Sequence, residues 1–376
     1  MRNRLLSFSL LLFASLFICG QGAFAVNISA ISPANYQTAE IQEQTSYYVD
    51  GSNLITSVPL ALQGGTLIRS KSQDASNPAL TFNFDIDGRS EVYVCYDSRA
   101  GTPAWLSSWV ATDMVVGVDN SNIDHFKVYA KRFNAGTVQL SPNQADAMYF
   151  VVVKDSVPVF PHSGWVILSY DMPYLREIIK KAPEYGVNHI QLSHDIIMNT
   201  YEVLDQPARR QNVNELIDLA HAYGVPVVTL WTHEVDTHGM PANLFAPDGR
   251  SDGNNPALWD WIRQRYIDLF TPGKGCPEAD GVVLTFSEVD DNVYLRNEFK
   301  HDGFTEAESV AKTINTLQQA CSMFDKTLYA RIWVGFDKWA EPVIRDGILI
   351  NGDPRVWMMN KNVGGIDWPP LKMGNS

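Results

Sequence analysis

Two spacings of apolar residues run along this chain, and they change over near residue 160. From about 30 to 155, the runs TLIRSK, ALTFNFDI, EVYVCYD, FKVYAKRF, TVQL and MYFVVV alternate apolar and polar positions. They are rich in β-branched and aromatic residues, with Gly, Asn, Asp and Ser between them. A period of two sends successive side chains to opposite faces of a strand, so each run buries one face and wets the other. The pattern predicts an antiparallel β-sandwich over 26–155. VKDSVPVFPHSG then marks a linker over 156–163 by its two prolines.

From 164 the apolar runs become continuous and alternate with helical segments. GWVILSYD leads to MPYLREIIKKAPEYG, and VNHIQLSHD to NVNELIDLAHAYG. VPVVTLWTHE precedes NPALWDWIRQRYIDLF, and DGVVLTFSE precedes TEAESVAKTINTLQQACSMF. TLYARIWV and FDKWAEPVIRDG follow, and RVWMMNKN comes last. Apolar strands between amphipathic helices predict a parallel sheet covered on both sides. Gly186 and Gly224 fall where a helix ends in the left-handed region before a new strand. Six strands fit two architectures: an open doubly wound sheet, or a (β/α)8 barrel represented by about six of its units.

The first 25 residues stand apart. Arg2 and Arg4, the apolar run LLSFSLLLFASLFI and the small-residue site AFA predict a signal peptide over 1–25. The expected location is secreted or periplasmic, with no membrane association after cleavage. The net charge is −13, and loss of Arg2 and Arg4 takes it to −15. A field of that sign repels nucleic acid and acidic membranes. An acidic sugar would have to be caught by local Arg or Lys. Cys95, Cys276 and Cys321 remain after cleavage. They allow one disulfide, Cys276–Cys321 being the favoured pair, or three buried thiols.

Chemistry concentrates where the apolar runs stop. Tyr170 and Asp171, His194 and Asp195, Thr232, His233 and Glu234, Glu288, Arg331, Lys361 and Asp367 all close predicted strands. In barrels those ends converge on one mouth. Packing gives no reason for a buried strand to finish on a carboxylate, so Glu288 reads as a catalytic acid. Two carboxyl groups facing one bond are the equipment of glycoside hydrolysis. Metal readings fit less well. SEVDDN, with Asp290 and Asp291, lacks the glycine and distant Glu of a calcium loop. The histidines of HEVDTH are five apart, off a common helix face. No metal or cofactor is expected.

The ordered series YGVNHIQL, AYGVPVVTL, NPALWDWIRQRYIDLF, DGVVLTFSEVDD, LYARIWV and NKNVGGIDWPP resembles the barrel of the microbial α-glucuronidases that strip glucuronate from xylan. The resemblance spans 164–376 and decides between the two architectures. It implies a partial (β/α)8 (TIM) barrel lacking its last two units, preceded here by the β-sandwich that the strand pattern predicts rather than by the family's own α/β domain. It also implies Glu288 as general acid, Asp367 in the general base, and Arg331 and Lys361 as substrate-binding cations. His194, Tyr170, Asp171, Glu234 and Asp291 join them as candidate sugar contacts. Where the family carries a second Lys, four residues before the acid, this chain has Leu284. The region 26–155 is similar to β-sandwich modules appended to secreted carbohydrate-active enzymes. Tyr96, Trp105, Trp109 and Arg99 would then meet a sugar, unless the tryptophans simply pack in the sandwich. The expected activity is inverting hydrolysis of a plant or algal polysaccharide or oligosaccharide. The alternatives are a non-catalytic carbohydrate-binding protein and, further off, a lyase or metal-assisted enzyme.

Overall fold

A computed structural model describes residues 26–155, 163–233, 235–286, 293–296, 298–332 and 340–360. Ten strands make up the N-terminal region: β1 (Ile28–Ser32), β2 (Gln37–Glu40), β3 (Ile55–Ser57), β4 (Thr66–Arg69), β5 (Phe82–Ile86), β6 (Ser90–Asp97), β7 (Val110–Asn120), β8 (Ile123–Phe133), β9 (Gly136–Leu140) and β10 (Phe150–Asp155). They form a three-stranded sheet, β1-β5-β9, and a seven-stranded sheet, β2-β4-β10-β6-β8-β7-β3. Every pairing in both is antiparallel. Phe82 of β5 stacks on Tyr149, next to β10, with ring centroids 5.7 Å apart, and Tyr36 meets Phe82 edge-on at 4.9 Å. These contacts tie the small sheet to the large one.

The aromatic residues singled out for sugar stacking are used in this packing. Trp105 meets Trp109 edge-on at 6.2 Å and lies 5.5 Å from Tyr149, while Trp109 packs on Phe133. Tyr96 is buried, and Arg99 is engaged with the Asp97 carboxylate at 2.7 Å. Of the two readings offered for the tryptophans, the packed one describes them.

The second region carries a six-stranded sheet: β11 (Gly164–Ile167), β12 (His189–Leu192), β13 (Val227–His233), β15 (Gly281–Thr285), β17 (Thr327–Ile332) and β18 (Val356–Asn360). Two short strands, β14 (Ser251–Asp252) and β16 (Phe299–Lys300), pair separately. The helices are α1 (Met172–Lys181), α2 (Tyr201–Leu204), α3 (Pro207–Ala222), α4 (Pro256–Phe270), α5 (Glu306–Met323) and α6 (Ala340–Asn351). Asp171 caps α1, Asn255 caps α4, and Thr305 with Glu308 forms a capping box on α5. Gly186 and Gly224 take φ +69 and +89, as their places at helix ends require.

All pairings in the six-stranded sheet are parallel, and strand order follows the chain without reversal. A doubly wound sheet reverses its order and carries helices on both faces. An unreversed order with crossovers of one hand puts the helices on one face. Here α4 packs on α5 and α5 on α6, and the sheet curls into a half-barrel.

The expectation of helices on both sides is therefore corrected by the register. Ile190, Leu192, Val228, Leu230, Val282, Leu284, Leu328 and Ala330 enter the main core. Their neighbours in sequence point the other way. Trp231, Val283 and Tyr329, with Met359, form a small apolar cluster of their own. Around it on the same face stand His189, Gln191, Thr229, His233, Thr285 and Arg331, as the pairing register dictates. At the two edges, Val166 of β11, Leu168 just after it and Trp357 of β18 are 51, 48 and 43 % exposed.

The cysteines form no disulfide: Cys95, Cys276 and Cys321 are buried free thiols. Burial pushes Cys276 and Cys321 up to about 12, so both stay protonated and inert.

The sandwich meets the second region at the N-terminal ends of the parallel strands. Asp280, one residue before β15, is the centre of the junction. Its Oδ1 accepts from Arg89 Nη1 at 2.9 Å and Arg132 Nη1 at 3.0 Å. Its Oδ2 accepts from His221 Nε2 at 2.9 Å and the Val228 amide at 2.7 Å. Arg132 also pairs with Glu91 and donates to the Pro226 carbonyl. Burial pushes the Asp280 carboxyl up, but His221, Arg132 and Arg89 outweigh it and hold the group well below the ordinary range. Burial, then Arg132, lowers His221 to about 3, so its imidazole is neutral at pH 7. A second contact joins Asp113 of β7 to the Tyr223 hydroxyl and to Lys180 Nζ at 2.8 Å.

Candidate functional site

At the opposite end, where the strands finish, the inner face gathers its polar side chains. Trp231 is their centre and is 1 % exposed. Its indole N–H donates to the Thr285 hydroxyl on the neighbouring strand. Thr285 stands in register with Arg331 on the next one. The Arg331 guanidinium lies 5.8 Å from the Trp231 ring and is largely buried.

His194 reaches the same indole from β12. Its backbone takes φ +51, a left-handed conformation uncommon outside glycine. The chain turns there, and the imidazole packs against Trp231 with ring centroids 3.7 Å apart. The Ser193 hydroxyl, 2.7 Å from Nδ1, holds the ring from behind. His233 completes the group, its ring 5.0 Å from Trp231 and its Nδ1 3.1 Å from the Met198 carbonyl. Asn199 Oδ1 accepts from the His233 amide at 3.3 Å. One indole thus sets the positions of a permanent cation and two imidazoles. Beneath it, Val283, Tyr329 and Met359 supply an apolar floor. Burial raises the Tyr329 phenol to about 12, which keeps it protonated. Few polar groups over an apolar floor suit a small polar ligand whose orientation matters.

The sequence-predicted residues divide three ways. His194 and Arg331 are brought together on Trp231. Tyr170 and Asp171 are engaged with helices: the Tyr170 hydroxyl accepts from Asn212 Nδ2 at 2.6 Å and its ring lies under Arg209, both on α3. Asp171 accepts from the Tyr174 amide at 3.2 Å as the α1 cap. Glu234, Glu288, Asp291, Lys361 and Asp367 lie outside the described residues. Leu284, where the family carries Lys, is fully buried in the main core and faces away from this group. Among the described residues, no cluster of three His, Cys, Asp or Glu converges as a metal site requires.

Trp231, Thr285 and Gln191 were not anticipated. The signal was present in VVTLWTH: read with a period of two, Thr229, Trp231 and His233 share one face and Val228 and Leu230 the other.

No protein-family model matches the chain, and no curated protein matches it. Among solved structures it is similar to a beta-glucuronidase from glycoside hydrolase family 2, with 17 % identity over 34 % of this chain and 14 % of that one, at a TM-score of 0.30. It is similar to a GH138 enzyme targeting pectin rhamnogalacturonan II, at 16 % identity over 34 % of this chain and 16 % of that one, TM-score 0.28. A mutant O-GlcNAc hydrolase of Thermobaculum terrenum shares 10 % identity over 52 % of this chain and 39 % of that one, TM-score 0.35. These likenesses are distant, and the chain spans well under two thirds of the length of each of the three.

Proposed function

We propose that this protein is a secreted glycoside hydrolase of the α-glucuronidase type, cleaving a glycosidic bond in a plant or algal saccharide with inversion. One observation carries the reading: Arg331, His194 and His233 gather around Trp231 at the strand ends. In the sequence, Glu234 follows β13 directly and Glu288 comes shortly after β15. The unreversed parallel order supports reading the sheet as six strands of a (β/α)8 wall, whose chemistry sits at the C-terminal face.

In this mechanism Glu288, kept protonated, donates to the leaving oxygen, and Asp367 activates water on the opposite face of the sugar. An inverting pair stands about 6.5–9.5 Å apart, leaving room for that water. Arg331 and Lys361 hold the sugar carboxylate, a local attraction that the negative net charge makes necessary. The signal peptide over 1–25 would deliver the enzyme to its polymer outside the cytoplasm.

The test is incubation with aldouronic oligosaccharides, following sugar release and ultraviolet absorbance together. Release without new absorbance is expected, and Glu288→Gln should lower turnover at least a thousandfold while the protein stays folded. A new absorbance from an unsaturated uronate would replace hydrolysis by elimination. Undiminished release by Glu288→Gln would remove Glu288 from its role, and binding without release would make the protein a lectin-like binder.

A further inference from the structure

The loops that leave β12 and β13 meet on the rim of the same end. Tyr201 opens α2 at the end of the first, and His238 lies on the second. Their rings stack with centroids 3.8 Å apart and planes 11° from parallel. The His238 side chain is 60 % exposed, yet it is held in place. Asp236 Oδ1 accepts from His238 Nδ1 at 2.9 Å and from the His238 amide at 3.0 Å. The other oxygen accepts from the Tyr201 amide at 3.2 Å and lies 3.5 Å from the Thr200 hydroxyl. The Asp236 side chain is itself only 8 % exposed. One buried carboxylate therefore pins both aromatic residues.

This arrangement is costly for the fold taken alone. Ordering a side chain forfeits rotamer freedom, and a ring left mostly in water recovers little of that through burial. A flat ring already fixed at the surface reduces the ordering cost for whatever lies against it. The pair is also coupled to the mouth, because Asn199, two residues before Tyr201, accepts from the His233 amide. A nucleobase would stack equally well, but the chain's net charge of −13 repels a phosphate backbone. A pyranose ring carries no such charge and presents a flat face of C–H groups.

We propose that the His238–Tyr201 stack is a platform for a further sugar ring of an oligosaccharide, a binding position outside the bond-cleaving one. The proposal rests on the glycoside-hydrolase reading above. It predicts a platform that recognises chain length and takes no part in the chemical step.

The experiment compares aldobiouronic and aldotetraouronic acids as substrates for the full chain, its His238→Ala variant and its His238→Phe variant. His238→Ala should raise KM for the longer substrate about tenfold, with kcat and all parameters for the shorter one unchanged. His238→Phe, which keeps a flat ring, should restore KM to within about twofold. Both variants lose the same hydrogen bond from Nδ1 to Asp236, so their thermal melts should coincide with each other, at or slightly below that of the unaltered protein. Equal effects of His238→Ala on both substrates, no effect on either, or failure of the Phe variant to rescue would each overturn the platform. If the unaltered protein turns over aldotetraouronic acid and His238→Ala matches it, the platform alone falls. If the unaltered protein neither binds nor cleaves either saccharide, the hydrolase reading falls and takes the platform with it.

Discussion

Asp280→Asn tests the junction between the two regions most directly, because the change keeps the side chain's shape and alters its charge. The carboxylate serves two sides at once. Oδ1 faces the guanidinium groups of Arg89 and Arg132, and Oδ2 faces His221 and the Val228 amide. An asparagine has one acceptor oxygen, so whichever way it turns, its NH2 confronts two donors. Two hydrogen bonds are lost, and the junction gives up the carboxylate that Arg89 and Arg132 share, while their pairs with Glu278 and Glu91 remain. Hydrogen bonds to charged groups contribute about 1.5–3 kcal/mol each, and removing one partner of a buried ion pair costs about 3–5 kcal/mol. The Asp280 side chain is 12 % exposed, which places it near the buried limit. The expected loss is therefore about 3–5 kcal/mol. It would be read from urea unfolding monitored by tryptophan fluorescence and far-ultraviolet circular dichroism. Since Arg89 and Arg132 belong to the sandwich and Asp280 to the parallel region, the two probes should cease to coincide in the variant. A loss below about 1 kcal/mol, with both probes still superimposed, would refute this account of the junction. The acid limb supplies a second check. A carboxylate held below its unfolded value stabilises the fold above that value, near pH 4, and the contribution is lost as pH falls through the folded one. The variant should lack that part of the acid sensitivity.

Two further outcomes concern the same framework. His221 is lowered to about 3 by burial and by Arg132, so between pH 6.5 and 3 the unfolded chain takes up a proton that the fold refuses. Stability should fall through that window by up to about 1.4 kcal/mol per pH unit for this group, and His221→Gln should flatten the slope in urea midpoints taken at several pH values. An unchanged slope would remove His221 as its source. At Gly281, a Cβ would lie 2.1 Å from the Thr327 carbonyl oxygen, a backbone atom of the adjacent strand. Gly281→Ala should cost about 1–3 kcal/mol and speed hydrogen exchange in β15 and β17, whereas unaltered exchange would show that the strands accommodate the methyl group.

How legible this architecture was depended on whether a residue's neighbours in sequence were also its neighbours in space. The strand around Val128 announces itself through alternation, whereas those around Val92 and Val151 read as apolar runs buried along most of their length. β7 does not: register shifts between Ala111 and Val115, and again between Gly117 and Asn120, break the period. The parallel strands were recognisable as apolar runs, but their two faces were not separated. Trp231 in VVTLWTH passes for core until Thr229 and His233 are placed beside it. His194 was legible because it closes an apolar run, and Arg331 because it sets a charge inside one, TLYARIWV. The junction left no such trace. Arg89, Glu91 and Arg132 look like ordinary wet positions of a sandwich strand, and only tertiary contact brings them to Asp280. Tyr170 and Asp171 show the converse case, strand-end polar residues whose partners are helix groups.

The position of the sandwich also has a practical meaning. It grips the sheet at the end where the strands set out, as a stand grips the base of a bowl. A surface attachment or fusion made through the β1–β5–β9 sheet would leave the other end of the parallel strands unobstructed. Because the gripping charges and the rim aromatics stand at opposite ends of the parallel strands, alterations at the two ends should combine additively in their effect on stability. Loops around the opening can therefore be exchanged to seek new ligands without loosening the base.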